Sequence, residues 1–269
     1  MRIACLQGPE HADTPQGNLA VLAEAAQNAR AAGAALLIAP ELFLTGYAIG
    51  AAEVARLAEP LGGPALREVA AIAAATGIAI ILGYPERAVD GIFNAATAFD
   101  AQGRQIGHYR KTHLYGPIDR AQFSPGAAAS GLFELGGFRI GLLICYDVEF
   151  PENVRHLALL GADLVVVPTA LMQPYDIVAE TIAPARAYEN QIYLAYVNRC
   201  GVEGDLDYCG LSCVVGPDGR DLARAGRGKA LLLADLDLAS LHASRAQMPY
   251  LQDRRPGLYH SLADREAEK

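Results

Sequence analysis

Basic runs are missing from this sequence: none of its 269 residues belongs to a cationic stretch longer than a pair such as Arg254-Arg255, and 22 Lys and Arg against 30 Asp and Glu leave a net charge of −8. A nucleic-acid groove or an anionic membrane surface would require the opposite sign. Long hydrophobic runs are missing too. The most apolar stretches, 34–47, 78–84 and 164–171, are short or interrupted by Pro, Glu or Gly, so no membrane-spanning helix is expected. The five cysteines are odd in number and form no Cys-x-x-Cys pair, which argues against a disulfide framework and a structural zinc centre. Cys200, Cys209 and Cys213 do cluster, and a strand over 208–216 would put the last two on one face. Residues 1–7 lack the long apolar region and cleavage site of a signal peptide, so a cytoplasmic location is expected. Repeats, linkers and a strand–Gly-x-Gly-x-x-Gly–helix nucleotide signature are also absent. One domain over 1–269 is expected, with a charged surface tail from about residue 252.

What is present is 52% hydrophobic residues in a patterned order. Short apolar segments at 3–7, 35–39, 78–84, 139–145, 164–168 and 192–198 predict strands covered on both faces. Between them, 18–32, 64–76 and 152–160 have helical spacing, and 175–190 predicts a longer helix with Pro184 as a break or kink. Asp100-Ala101-Gln102-Gly103 and Gly216-Pro217-Asp218-Gly219 predict hairpin turns. This interleaving implies an α/β protein with mixed sheets.

Three reactive side chains stand where apolar strands stop. Glu41 follows Ala34–Pro40; a carboxylate there is partly desolvated and suited to proton transfer, or it sits in a solvated loop. Cys145 closes a predicted strand before a helix starting near Pro151, placing a thiol within reach of a substrate, or it is a buried structural cysteine. Lys111 lies in the basic cluster after the strand from Gln105, as a fixed charge for an oxyanion or as part of a solvated turn.

Together these residues carry a family resemblance. Pro-Glu-Leu-Phe-Leu-Thr-Gly-Tyr at 40–47, Tyr-Arg-Lys-Thr-His-Leu at 109–114 and Cys-Tyr-Asp-Val-Glu-Phe-Pro-Glu at 145–152 resemble the nitrilase, or carbon–nitrogen hydrolase, superfamily. Further similarities include Phe93-Asn94, Gly161-Ala162-Asp163 and Arg255-Pro256-Gly257-Leu258-Tyr259, so the resemblance spans essentially the whole chain. It implies a four-layer αββα sandwich, a homodimer or higher homo-oligomer, and no metal or other cofactor. It also implies Glu41 as general base, Cys145 as nucleophile, and Lys111 with the Tyr146 backbone N–H as oxyanion donors. Many family members carry a second glutamate after the lysine. Asp119 is its counterpart here, or it is a loop residue paired with Arg120.

The resemblance also narrows the substrate to a small-molecule amide. Nitrilases in the strict sense resemble Cys-Trp-Glu, whereas this chain has Cys145-Tyr146-Asp147, as in amidase and carbamoyl-hydrolase branches. Glu149 stands where several relatives acting on carboxylate-bearing amides have Arg. An acid there would attract an ammonium group, or it serves the dipole of the following helix. Gly-Tyr-Pro-Glu-Arg at 83–87, Phe-Ser-Pro-Gly at 123–126 and the run 141–153 resemble the branch that takes ω-amino amides such as 5-aminopentanamide, with N-carbamoyl-polyamine hydrolysis as the alternative. Tyr47, Thr169 and Tyr175 are candidate pocket residues from their positions after motif strands.

Overall fold

The structure is a computed structural model that describes residues 1–8 and 14–259. In chain order its strands are β1 (Arg2–Gln7), β2 (Leu36–Ile38), β3 (Ala79–Ala88), β4 (Gly91–Phe99), β5 (Gln105–Arg110), β6 (Leu132–Leu135), β7 (Phe138–Leu142), β8 (Leu164–Pro168), β9 (Tyr193–Val197), β10 (Cys200–Glu203), β11 (Leu206–Cys209), β12 (Cys213–Val215), β13 (Asp221–Arg224) and β14 (Ala230–Asp235). The helices are α1 (Pro15–Ala31), α2 (Ala51–Leu57), α3 (Pro64–Thr76), α4 (Gly116–Gln122), α5 (Pro151–Leu160), α6 (Ala183–Asn190), α7 (Leu238–Gln247) and α8 (Tyr250–Asp253).

The strands form two six-stranded sheets, β14-β1-β2-β3-β4-β5 and β13-β12-β9-β8-β7-β6, and a separate β10-β11 ribbon. Both sheets are mixed. The trios β1-β2-β3 and β7-β8-β9 are parallel, and the outer strands pair antiparallel.

Alternation along the strands builds the layers. In β1 to β3, Ile3, Cys5, Leu36, Ile38, Ala79 and Ile81 point into one core shared with the second sheet, where they meet Ile140, Val165 and Leu194. Their neighbours Ala4, Leu37, Ile80 and Leu82 point the other way, onto Leu19, Leu22, Ala26 and Ala29 of α1 and Leu66, Val69 and Ala73 of α3. Helices α5 and α6 cover the outer face of the second sheet through Val154, Leu157, Ala183 and Ala187. The result is the expected αββα arrangement, with each large buried aliphatic side chain contributing roughly 2 kcal/mol.

Helix boundaries follow local chemistry. The Thr14 side chain accepts the Gly17 N–H at 3.1 Å, and α1, α3 and α5 each have proline in the first turn, where its missing N–H costs nothing. The helix expected over 175–190 runs unbroken from 177 to 190, and the break expected at Pro184 is a change of helix type beside it. A π-helical turn, Val178–Ile182, leads into α6, and Pro184 sits in the first turn of α6. The expected common strand for Cys209 and Cys213 is also corrected. β11 ends at Cys209, Leu211 takes φ +56°, and β12 starts at Cys213, so the two thiols belong to different sheets. Of the expected tail, 252–259 carries the end of α8 and a short 3-10 turn, while 260–269 lie outside the described residues. Among the described residues no helix is long and apolar enough to cross a membrane.

Candidate active site

Glu41 is placed by a strained backbone. β2 stops at Ile38, the Ala39 N–H donates to the Ile81 carbonyl at 2.8 Å, and three residues later Leu42 adopts φ +48°. Such a conformation costs on the order of 1 kcal/mol and persists only where the surroundings enforce it. Gly83 of β3 presses against this turn so closely that a Cβ there would lie 2.4 Å from the Leu42 nitrogen and 2.7 Å from the Glu41 Cα. From the other side the buried Arg199 reaches the Glu41 and Leu42 carbonyls at 3.5 and 3.4 Å, with its guanidinium over the Tyr208 ring. Glu41 itself is fully buried. Its Oε1 accepts from Lys111 Nζ at 2.7 Å and Asn94 Nδ2 at 2.6 Å, whereas Oε2 is buried without a hydrogen-bond partner. Burial pushes its pKa above the ordinary carboxylate range, against the pull of Lys111. The solvated-loop alternative for Glu41 does not occur.

Lys111 follows the last residue of β5, and its N–H donates to the Asn94 carbonyl at 2.8 Å. Its ammonium is completely buried between two carboxylates, 2.7 Å from Glu41 Oε1 and 2.7 Å from Asp119 Oδ2. Burial alone would lower its pKa; the two carboxylates outweigh burial and hold it well above the usual lysine value. Asp119, in the first turn of α4, also accepts the Tyr47 hydroxyl at 2.8 Å and the Tyr115 N–H at 2.9 Å. It is thus bound to Lys111 and not to Arg120.

Cys145 differs from expectation in its backbone. β7 ends at Leu142, and Cys145, with φ +46°, opens a 3-10 turn, Cys145–Glu149. The first bond of that turn is Asp147 N–H to the Ile144 carbonyl at 3.0 Å, so the Tyr146 N–H precedes the turn's own bonding and is one of its orphan donors. Asp147 holds the turn against the lysine loop: Oδ2 accepts from the Ile144 N–H and the Tyr109 hydroxyl, Oδ1 from Thr112 and from both the backbone and ring of His113, all at 2.9 to 3.1 Å. Arg186 fixes the far end by donating to the Val148 and Glu149 carbonyls at 3.0 and 2.7 Å. Burial, then the Glu41 charge, push the Cys145 thiol well above its ordinary pKa, while Lys111 and the Ala170 N–H act in the opposite sense. A thiol whose pKa is raised in this way depends on a base for its nucleophilicity.

Cys145 opens onto a cavity of about 80 Å³. Tyr47, Tyr115, Tyr146 and Tyr175 wall it with Glu149, and Ala170, Leu171 and Met172 supply the apolar remainder. The Glu149 carboxylate has no hydrogen bond or ion pair among the described residues, and burial raises its pKa against the influence of Lys111 and Arg186. Thr169 is a correction. It is fully buried with its hydroxyl committed to the Val167 carbonyl at 3.0 Å, and its neighbour Ala170 lines the cavity instead. Sequence reasoning did not single out Asn94, Tyr115 or Met172, nor the clamp made by Asp147. Only for Asn94 and Asp147 was there a signal, their place inside the quoted motifs.

The carbon-nitrogen hydrolase family model matches residues 2–246. A hydrolase encoded in the pqqF 5' region of Pseudomonas protegens is 50% identical over 266 residues, covering 98% of this chain and 93% of that protein. An (R)-stereoselective amidase of a Pseudomonas species is 41% identical, covering 82% and 79%. Among solved structures, the NitN amidase of Nesterenkonia sp. AN1 superposes with a TM-score of 0.84 at 39% identity, covering 97% of this chain and 99% of that one. Structures of a glutamate-to-glutamine mutant of that amidase show acrylamide, and the acetamide moiety of fluoroacetamide, added covalently to its active-site cysteine. Likeness on this scale, over nearly the whole length and in both sequence and fold, places the chain in the carbon–nitrogen hydrolase family as a cysteine-dependent amidase.

Proposed function

We propose that the protein hydrolyses small aliphatic amides that carry a positive charge on the acyl chain, with 5-aminopentanamide as reference substrate, the reaction of a 5-aminopentanamidase (5-aminovaleramidase). In this reading Glu41 Oε2, left without a partner, takes the Cys145 proton as the sulfur attacks the amide carbon. The oxyanion that forms is met by the Lys111 ammonium and the Tyr146 N–H. Glu41 returns the proton to the leaving nitrogen, the C–N bond breaks, ammonia departs and a Cys145 thioester remains. Water, deprotonated by Glu41, adds to the thioester, and collapse of the second tetrahedral intermediate expels the thiol and frees the carboxylate product. Asp119 keeps Lys111 aimed while leaving the three charges at a net −1.

The observation that carries the substrate class is Glu149, a half-buried carboxylate with no hydrogen bond or ion pair among the described residues, in the wall of the cavity that holds Cys145. An unpaired charge in such a place is costly unless a ligand neutralises it. The small cavity supports a short acyl chain, and mutants of the Nesterenkonia amidase with its cysteine replaced by alanine have been captured with acrylamide and with butyramide.

The test is ammonia release from 5-aminopentanamide, pentanamide, N-carbamoylputrescine and pentanenitrile, with Cys145→Ala as blank. The kcat/KM for 5-aminopentanamide is expected to exceed that for pentanamide at least about tenfold, and Glu149→Gln to remove most of that ratio. Equal or faster turnover of pentanamide would overturn the ammonium assignment. Faster turnover of N-carbamoylputrescine would move the activity to carbamoyl hydrolysis.

A further inference from the structure

The β10-β11 ribbon belongs to neither six-stranded sheet, and no group of it takes part in the proton or acyl transfer. Two strands of four residues are marginal by themselves, so the position of the ribbon is set by what it touches. Along β11 it follows the segment that supplies the apolar wall of the Cys145 cavity. The Cys209 N–H donates to the Leu171 carbonyl at 2.9 Å, the Gln173 N–H donates to the Asp207 carbonyl at 2.8 Å, and Met172 and Tyr208 form a β-bridge. At its tip, where Glu203 pairs with Leu206, the ribbon reaches another lining residue. The Tyr47 N–H donates to the Glu203 carboxylate, at 3.0 Å to Oε1 and 3.2 Å to Oε2.

This carboxylate is nearly buried and both its oxygens are engaged. Its side chain is 10% exposed, Oε2 also accepts the Tyr208 hydroxyl, and Arg199 Nε lies 3.8 Å away. A carboxylate accepts more strongly than a carbonyl, so Glu203 holds the Tyr47 backbone firmly. The turn that starts at Glu41 is thereby held at both ends, by Arg199 at the Glu41 and Leu42 carbonyls and by Glu203 at the Tyr47 N–H. From Tyr47 the contact continues inward. Its hydroxyl donates to Asp119 Oδ1 at 2.8 Å, and Asp119 Oδ2 accepts from Lys111 Nζ at 2.7 Å. Tyr47, Asp119 and Lys111 are all buried, and a tyrosine side chain is rigid, so a shift of the Tyr47 backbone is carried to its hydroxyl and on to Asp119.

We propose that Glu203 is a positioning residue for the amidase reaction: through the Tyr47 backbone, the Tyr47 hydroxyl and Asp119, it fixes where the Lys111 ammonium meets the oxyanion. The proposal rests on Lys111 as oxyanion donor and adds to that assignment a residue outside the cavity wall.

The experiment is a double-mutant cycle on kcat and KM of the full chain, measured on the folded fraction from gel filtration. It is run with 5-aminopentanamide and repeated with pentanamide, which makes it independent of the role of Glu149. Glu203→Ala is expected to lower kcat about 30-fold while KM changes less than about threefold, and Tyr47→Phe to lower kcat by a similar factor. The double variant is expected within about threefold of either single one, because both substitutions break the same chain of contacts. Glu203→Gln keeps an oxygen for the Tyr47 N–H and is expected within about threefold of the wild type. Should Glu203→Ala not fold, Glu203→Asp takes its place in the cycle. It keeps the charge near Arg199 but withdraws the acceptor by one methylene, and is expected to lower kcat about tenfold, an effect again absent when Tyr47 is already Phe.

Wild-type kcat in Glu203→Ala, a change confined to KM, or factors that multiply in the double variant would overturn the proposal. A Glu203→Gln as slow as Glu203→Ala would assign the effect to the charge beside Arg199 and overturn the route through Tyr47. In each of these cases a low kcat in Tyr47→Phe and in Asp119→Asn leaves the assignment of Lys111 standing. Unchanged kcat in both of those variants takes the Lys111 assignment away as well.

Discussion

Lys111 and Asp119, eight residues apart in the chain, meet at 2.7 Å in an ion pair with neither side chain exposed to solvent. The pair turns a long flexible lysine into a fixed charge. With Glu41 on its other side, also at 2.7 Å, the ammonium has little freedom of position and stands next to the base. Removing one member of such a cluster leaves the others buried and unbalanced, which makes its role measurable.

Asp119→Asn is expected to lower kcat by roughly 10²-fold, because Lys111 loses half of what holds it. The pH profile carries the sign. Turnover needs Glu41 ionised, so activity falls as pH drops through its pKa, which burial has placed above the ordinary carboxylate range and which the Asp119 charge raises further. Without that charge the acid limb moves to lower pH. A limb that stays put or moves up would contradict this coupling.

Glu41→Gln separates acidity from catalysis. The Glu41 charge is one of the causes that raise the Cys145 pKa, so its removal is expected to make the thiol more acidic. The pH dependence of Cys145 alkylation by iodoacetamide, read by intact mass, then shifts to lower pH. Amide turnover nonetheless drops by roughly 10³-fold or more, because no group accepts the proton and returns it to the leaving nitrogen.

Asp147→Asn tests the clamp. Both carboxylate oxygens accept from backbone N–H groups and side-chain donors, so an amide NH₂ in either place faces another donor. A loss of about 2–4 kcal/mol in chemical denaturation is expected. In the folded fraction kcat is expected to fall more than KM changes, since the Cys145 turn and the Lys111 loop lose their common anchor.

Glu86 supplies a stability prediction remote from the cavity. Burial would raise its pKa, but hydrogen bonds with His108 at 2.7 Å and Arg110 at 2.7 Å prevail and bring it from 4.5 down to about 2. A carboxyl more acidic in the folded state stabilises that state above its unfolded pKa, and the contribution is lost as pH falls from 4.5 through about 2. Glu86→Gln is expected to cost on the order of 2 kcal/mol at pH 7. The gap to the wild type should narrow when unfolding is repeated at pH 3.5; a gap that is constant with pH would assign the effect to packing.

Much of the layered fold was legible in the sequence because it arises from local alternation and capping. Ile3 and Ala4 face opposite cores since successive strand residues point to opposite faces, and the stripe Leu19, Leu22, Ala26, Ala29 is buried since it recurs at helical spacing. The boundaries that went astray are set by tertiary constraints. Cys145 reads as the last residue of an apolar strand, yet Asp147 and Arg186 hold it in a turn with positive φ. Cys209 and Cys213 read as one strand, yet the chain crosses between sheets at Leu211.

The sequence by itself determined the α/β alternation and the order in which Glu41, Lys111 and Cys145 occur, because residue type and spacing are properties of the chain. Which partners these side chains have was decided by tertiary structure alone. Asp119 had Arg120 as its neighbour in sequence and bonds Lys111 and Tyr47 instead, and the Glu149 carboxylate, which preceded a helix, faces a cavity with no hydrogen bond or ion pair among the described residues. Ion pairing and desolvation depend on distances of a few ångströms between segments far apart in the chain, and only the closed fold sets those distances.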